Sequence, residues 1–180
     1  PPYLSNMNDW LKKWVRKNYA GGKSDLFAAF IYRNLMFAEK SGQLGFMTPY
    51  VWMFISSYEE MRSYLIEEQT ITSLVQLEYS GFSGATVPIC IFTLQKGSNS
   101  EFHGGYIRLS DFKGADNQAP KTLEAIRNPE CGWFYRADQQ DFKKIPGSII
   151  GYWCSRAMLL AFSEGMPLGE AVDARQGLAT

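Results

Sequence analysis

Two apolar runs joined by a short glycine-containing loop do the most to limit what this chain can fold into. Ile71 to Tyr79 reads as a strand, and after Ser80-Gly81-Phe82-Ser83-Gly84-Ala85-Thr86 the run Val87-Pro88-Ile89-Cys90-Ile91-Phe92-Thr93-Leu94 is apolar throughout. Strands so closely connected must be antiparallel neighbours, because a parallel crossover needs a dozen or more residues. The unbroken second run predicts a strand covered on both faces. Helix and strand patterns alternate ahead of this pair, so the chain reads as α/β, closing on an antiparallel hairpin.

The alternation is legible residue by residue. Asp9 and Trp10-Leu11-Lys12-Lys13-Trp14-Val15-Arg16-Lys17-Asn18-Tyr19 form a short amphipathic helix, with Trp10 and Trp14 one turn apart and Lys13, Arg16 and Lys17 alongside. Such a segment either docks its tryptophans and leaves a solvated basic face, the simpler expectation, or contacts a phosphate backbone. From Ser24 the apolar residues Leu26, Phe27, Phe30, Ile31, Leu35 and Met36 recur at helical spacing, with Ser24 or Asp25 as cap, and this predicts a long buried helix. Leu44 to Thr48, ending at Pro49, reads as a core strand, and a second helix runs from about Ser56 to Glu68. Beyond Gly97 the pattern predicts a strand over Gly105 to Phe112, loop composition from Lys113 to Pro120, a short helix over Thr122 to Arg127, a strand over Trp133 to Ala137 and a helix from about Ser155.

Composition narrows the function classes only a little. Eighteen basic residues balance eighteen acidic ones, which neither supports nor excludes a local DNA-binding face. Cys90, Cys131 and Cys154 are widely spaced, and with the single histidine, His103, they make no metal-ligand pattern, so no metal is expected and reduced thiols in the cytoplasm are the default. His103 is expected to be structural. No apolar run reaches bilayer-spanning length and no leader pattern is present, so no membrane association is expected. The chain starts within a motif, Pro1-Pro2-Tyr3, and is expected to be a fragment cut at both ends.

Pro1-Pro2-Tyr3, Asp25-Leu26-Phe27-Ala28-Ala29-Phe30, Leu44-Gly45-Phe46-Met47-Thr48-Pro49 and the Phe82 loop before Val87 to Lys96 occur in an order that resembles the gamma-type DNA adenine N6-methyltransferases. The catalytic motif of that family is Asn-Pro-Pro-Tyr. Within the family, Gly84-Ala85-Thr86-Val87-Pro88-Ile89-Cys90, Pro167-Leu168-Gly169-Glu170 and Arg175-Gln176-Gly177-Leu178 look most like the large methylases of BREX phage-defence systems. The resemblance implies the carboxyl-terminal half of a Rossmann-like, S-adenosylmethionine-dependent methyltransferase domain over 1–96. It implies an α+β connector toward a DNA-recognition domain over 97–180.

The resemblance also implies roles. Double-stranded DNA with a flipped-out adenine is the substrate, and defence-system proteins are expected partners. Pro1, Pro2, Tyr3 and Phe82 are the catalytic candidates, and Leu26 and Phe30 line the cofactor's adenine pocket. The carbonyl of Pro1, with an Asn expected just before it, accepts from the adenine amine, the paired prolines preset its direction, and Tyr3 and Phe82 stack on the base from opposite sides. The Gly-rich loop and the acidic residue that hold S-adenosylmethionine in the family lie outside this sequence, so the chain alone is expected to be inactive. Two alternatives stay open. Protein glutamine N5-methyltransferases share the motif but usually end soon after the hairpin, whereas more than eighty residues follow Lys96 here. A non-catalytic interaction module would leave the α/β pattern unexplained.

Overall fold

The computed structural model describes residues 6–82 and 87–172. Its five strands, β1 (Gln43–Pro49), β2 (Gln69–Gln76), β3 (Ile89–Lys96), β4 (His103–Arg108) and β5 (Phe134–Asp138), form one sheet in the order β1-β3-β2-β4-β5. β3 is antiparallel to both β1 and β2, so those two run parallel with β3 inserted between them. β4 is parallel to β2, and β5 is antiparallel to β4. The α/β class and the antiparallel hairpin expected from the sequence are both present.

The two-residue period of the strands sorts the side chains into rows. Phe46, Phe92, Leu74, Tyr106 and Tyr135 stand opposite one another across all five strands. They face α2 (Leu26–Phe37) and α3 (Glu59–Glu68), whose Ile31, Leu35, Met61 and Leu65 complete the main core. The next row, Met47, Ile91, Val75, Ile107 and Phe134, points to the other side. There α4 (Ala115–Arg127) covers only the β4–β5 end, through Ala125 against Ile107, Leu77 and Leu109.

Cover therefore runs out toward β1, where Met47 is 48% and Ile91 42% exposed. This corrects two expectations. β3 is not covered on both faces; its run conceals an alternation, with Cys90, Phe92 and Leu94 buried and Ile91 turned out. β1, expected as a core strand, pairs only with β3 among the described residues and is mostly exposed or half-buried.

The first helix, α1 (Asp9–Asn18), starts where Asn8 accepts from the Leu11 amide at 2.8 Å, satisfying one of the helix's orphan donors. Asp25 precedes α2 in extended conformation but makes no capping bond; its Oδ2 accepts from the Tyr58 hydroxyl at 2.9 Å. A further correction concerns α4, which begins at Ala115, inside the stretch read as loop. Pro120 lies within it and removes one helical hydrogen bond. The start is fixed by Gln118, whose Nε2 donates to the carbonyls of Phe112 at 2.6 Å and Gly114 at 2.9 Å.

Residues after Lys96, which read as a connector, are tied to the earlier elements by buried polar side chains. Gln139 Oε1 accepts from the Ile71 amide at 2.7 Å, and its Nε2 donates to the carbonyls of Ile66 and Gln69. The Tyr152 hydroxyl donates to Gln76 Oε1 at 2.7 Å. The guanidinium of buried Arg62 donates to the carbonyls of Trp52, Ile55 and Gly147, which compensates for a burial that pushes its pKa down. Two exposed helices, α5 (Arg156–Glu164) and α6 (Leu168–Ala171), follow. No helix among the described residues is long and apolar enough to cross a membrane.

Candidate active site

β1, β2 and β4 point the same way, so their carboxyl ends share one edge of the sheet, the edge where open α/β sheets carry their ligands. The chain closes this edge with three backbone bonds: Tyr50 N to Pro88 O at 2.9 Å, Leu77 N to Ile89 O at 3.0 Å and Leu109 N to Gln76 O at 2.9 Å. Aromatic side chains line it. Tyr50 meets Phe54 edge-on at 5.8 Å, Phe54 lies 5.9 Å from Trp153, and the Arg108 guanidinium sits 4.8 Å above the Trp153 ring. Burial pushes the Tyr50 phenol up, partly offset by its hydrogen bond with Gln76, so the hydroxyl stays protonated near neutrality.

Phe82 leaves this edge on the β2–β3 connection, and its ring is 44% exposed. The backbone just before it is fixed from α4. Gln118 Oε1 accepts from the Glu78 amide at 3.1 Å, Glu78 Oε2 accepts from Ser80 N at 2.9 Å, and Gly81 N donates to Glu78 O at 2.9 Å. Gly81 has to be glycine here, since a Cβ would sit 2.8 Å from the Gln118 amide and 2.9 Å from Glu78 O. The result is an aromatic ring facing solvent on an anchored loop, an arrangement suited to stacking on a flat ligand.

Leu26 and Phe30 occupy a different place. One turn apart on α2, they line an apolar groove of about 320 Å³ with Leu11 and Trp14 of α1, Tyr19, Ala29 and Arg33. Phe82 is not among the residues lining this groove. Pro1, Pro2 and Tyr3 lie outside the described residues.

Near β5, the charged groups among the described residues are engaged with one another or with the backbone. A polar cavity of about 480 Å³ near β5 includes His103, Arg136, Asp138, Asp141 and Lys144. Lys144 binds Asp141 at 2.6 Å, Arg136 donates to the His103 carbonyl at 3.1 Å, and Asp138 accepts from the Gln140 amide at 2.9 Å. Among the described residues, no group of three or more His, Cys, Asp or Glu side chains is placed to hold a metal ion.

Sequence reasoning missed Tyr50, Arg108, Trp153 and Gln118. The first two stand at strand ends and could have been flagged once strand direction was known. Gln118 carries no local signal, because its partner Glu78 is forty residues away.

Residues 1–82 match the family described as Eco57I restriction-modification methylase. Across its whole length the chain is 34% identical to the adenine-specific methyltransferase PglX of Lacticaseibacillus casei (strain Zhang). Over 94% of its length it is 32% identical to the adenine-specific methyltransferase BrxX of Escherichia coli O9:H4 (strain HS). It spans only 15% and 14% of those two proteins. In three dimensions it is similar to the methyltransferase subunit of a type I restriction-modification system from Streptococcus thermophilus, with a TM-score of 0.61 at 18% identity over 83% of this chain and 35% of that one. At that identity the likeness speaks for the fold alone.

Proposed function

Since residues 1–82 of the chain belong to the Eco57I restriction-modification methylase family, we propose that it is the carboxyl-side half of the catalytic domain of a DNA adenine N6-methyltransferase serving phage defence or restriction-modification. The observation that carries this reading is the continuity of the likeness. The match over 1–82 is extended by similarity over 100% and 94% of this chain to two adenine-specific methyltransferases. Residues 1–96 carry the catalytic contribution, and 97–180 lead toward a DNA-recognition domain. Double-stranded DNA and other proteins of the same defence system are its partners, in the cytoplasm.

Adenine's exocyclic nitrogen is a weak nucleophile, its lone pair delocalised into the ring, and in duplex DNA it is reached only after the base is flipped out. The carbonyl of Pro1 accepts from the amine and orients it. Its direction is preset by two prolines of fixed φ, so little entropy is lost on binding. Tyr3 stacks on one face of the base and Phe82 on the other, each contact typically worth about 1–3 kcal/mol. The anchored loop beneath Phe82 and the aromatic edge around Tyr50 and Phe54 limit water at the base. No strong base is required, because the proton leaves to solvent after transfer.

The α1–α2 groove suits one end of S-adenosylmethionine. Its lining is aromatic and aliphatic apart from Arg33, which fits a flat adenine ring laid against Leu26 and Phe30 but offers no carboxylate for ribose hydroxyls. When bound, the cofactor supplies an electrophilic methyl group on a sulfonium. The test is methylation by the full-length parent. Tyr3→Ala should lower the single-turnover rate roughly 5- to 150-fold, the loss of about 1–3 kcal/mol of stacking, while Tyr3→Phe and Tyr3→Trp keep most of it. A Tyr3→Ala variant that methylates DNA at the parent's rate would sink the assignment.

A further inference from the structure

We propose that α1 carries a DNA-contacting ridge that holds the phosphodiester backbone beside the target adenine, an inference that rests on the DNA-methyltransferase reading above. Trp10, Lys13, Trp14 and Lys17 fall at i, i+3, i+4 and i+7, one stripe of the helix. All four are exposed, Trp10 at 70%. The opposite side already makes the helix's tertiary contact. Val15 is fully buried with Met7 and Ala29, and Leu11 and Tyr19 pack against them. Trp14 also packs edge-on against Tyr19 at 5.6 Å and borders the α1–α2 groove, so the docking expected from sequence is met by that ring alone, while Trp10 is turned out to solvent.

A helix that only needs a solvated face has no use for two large apolar rings there. Here the rings stack on each other, 6.5 Å apart and 19° from coplanar, on the same stripe as Lys13 and Lys17. Among the described residues the charge on the ridge is uncompensated. Lys12, off the stripe, lies 3.9 Å from Asp9, and among the described residues no carboxylate pairs with Lys13 or Lys17. Arg16 adds a third exposed cation nearby. The two lysines rise about 6 Å along the helix axis, a separation of the order of that between neighbouring phosphates on one strand. Indole faces between them offer stacking or sugar contact without sequence preference. Trp10 follows Tyr3 by seven residues, so the chain places it at most about 25 Å from the target base, or some seven base pairs along the duplex.

The test uses the full-length parent and a duplex of random sequence, with affinity followed against salt concentration. Each lost phosphate contact lowers the slope of log K against log salt by about 0.9, which at 0.15 M salt is about a fivefold loss of affinity. The expected result for Lys13→Ala/Lys17→Ala is a slope reduced by about 1.8 and binding about thirtyfold weaker, with S-adenosylmethionine affinity unchanged. Lys13→Arg/Lys17→Arg should restore the slope, and Trp10→Ala should weaken binding while leaving the slope alone. An unchanged slope in the double alanine variant, with cofactor binding intact, overturns the ridge and leaves the methyltransferase reading standing. Loss of cofactor binding or of monodispersity in that variant also overturns it, and marks α1 as a face that docks another part of the parent. A parent that binds no DNA removes both the function and the ridge.

Discussion

Gln118→Ala separates the anchoring of the Phe82 loop from the contact that Phe82 makes. The Gln118 amide, 5% exposed, makes three hydrogen bonds, accepting from Glu78 N at 3.1 Å and donating to Phe112 O at 2.6 Å and Gly114 O at 2.9 Å. At about 1 kcal/mol net each, the variant loses roughly 3 kcal/mol of local order. Only the Glu78 bond reaches the segment before Phe82, so about 1 kcal/mol of that loss falls there directly, within the approximately 1–3 kcal/mol a stacked Phe82 can contribute, and the rest acts through the α4 start that carries Gln118. In the full-length parent, Gln118→Ala should approach, without exceeding, the fall in kcat/KM caused by Phe82→Ala. S-adenosylmethionine affinity should not move. The decisive measurement is the double-mutant cycle: Phe82→Ala/Gln118→Ala should be about as slow as Phe82→Ala alone. If the two effects multiply, Gln118 does not act through Phe82 and the loop is held by something else.

Two further outcomes follow. The 180-residue chain by itself should show no heat of binding with S-adenosylmethionine in calorimetric titration and should self-associate in sedimentation, given a β1 edge unpaired among the described residues and Met47 and Ile91 exposed; a stoichiometric micromolar isotherm from a monomer would mean the cofactor determinants lie within this chain. Burial pushes the Cys90 thiol from 9.0 up to about 12, outweighing its hydrogen bond with Thr48. Between those pH values the folded state therefore holds a proton that the unfolded chain has released, so this contribution to stability is complete below about pH 9 and is lost as pH rises toward 12. Unfolding midpoints of the parent and of Cys90→Ala across that range should converge as pH rises, and a constant difference between them would contradict it.

Much of the fold was legible because its signals are local. The spacing of Trp10, Leu11, Trp14 and Val15 predicts α1, and the runs either side of Ser80–Thr86 predict the hairpin. Errors arose where a local pattern was ambiguous or a distant contact decided. The apolar run around Ile91 reads the same whether one face or two are covered, and only the placement of α4 at the far end of the sheet resolves it. The stretch before Thr122 carries a proline and polar residues, yet helix forms there because Gln118 finds carbonyls in a loop that the helix itself positions. For the site, Leu26 and Phe30, expected together in the cofactor's adenine pocket, line one groove, while Tyr50, Arg108 and Trp153 come together only once β1, β2 and β4 are known to end side by side.

The buried amides and hydroxyl that tie the later strands back to β2 have a consequence for exchanging parts between enzymes of this kind. Gln139 bridges the α3–β2 junction, Tyr152 seals Gln76 at the end of β2, and Ile150 N donates to Met53 O at 3.1 Å. A recombinant joined at Lys96 would graft foreign strands onto those partners and leave the Ile71 amide, the carbonyls of Ile66, Gln69 and Met53 and the Gln76 side-chain oxygen without these complements. A junction after Trp153, ahead of the exposed α5, breaks none of these bonds. Exchange of parts is thereby directed to the far side of residue 153, and the sheet travels as an indivisible cassette.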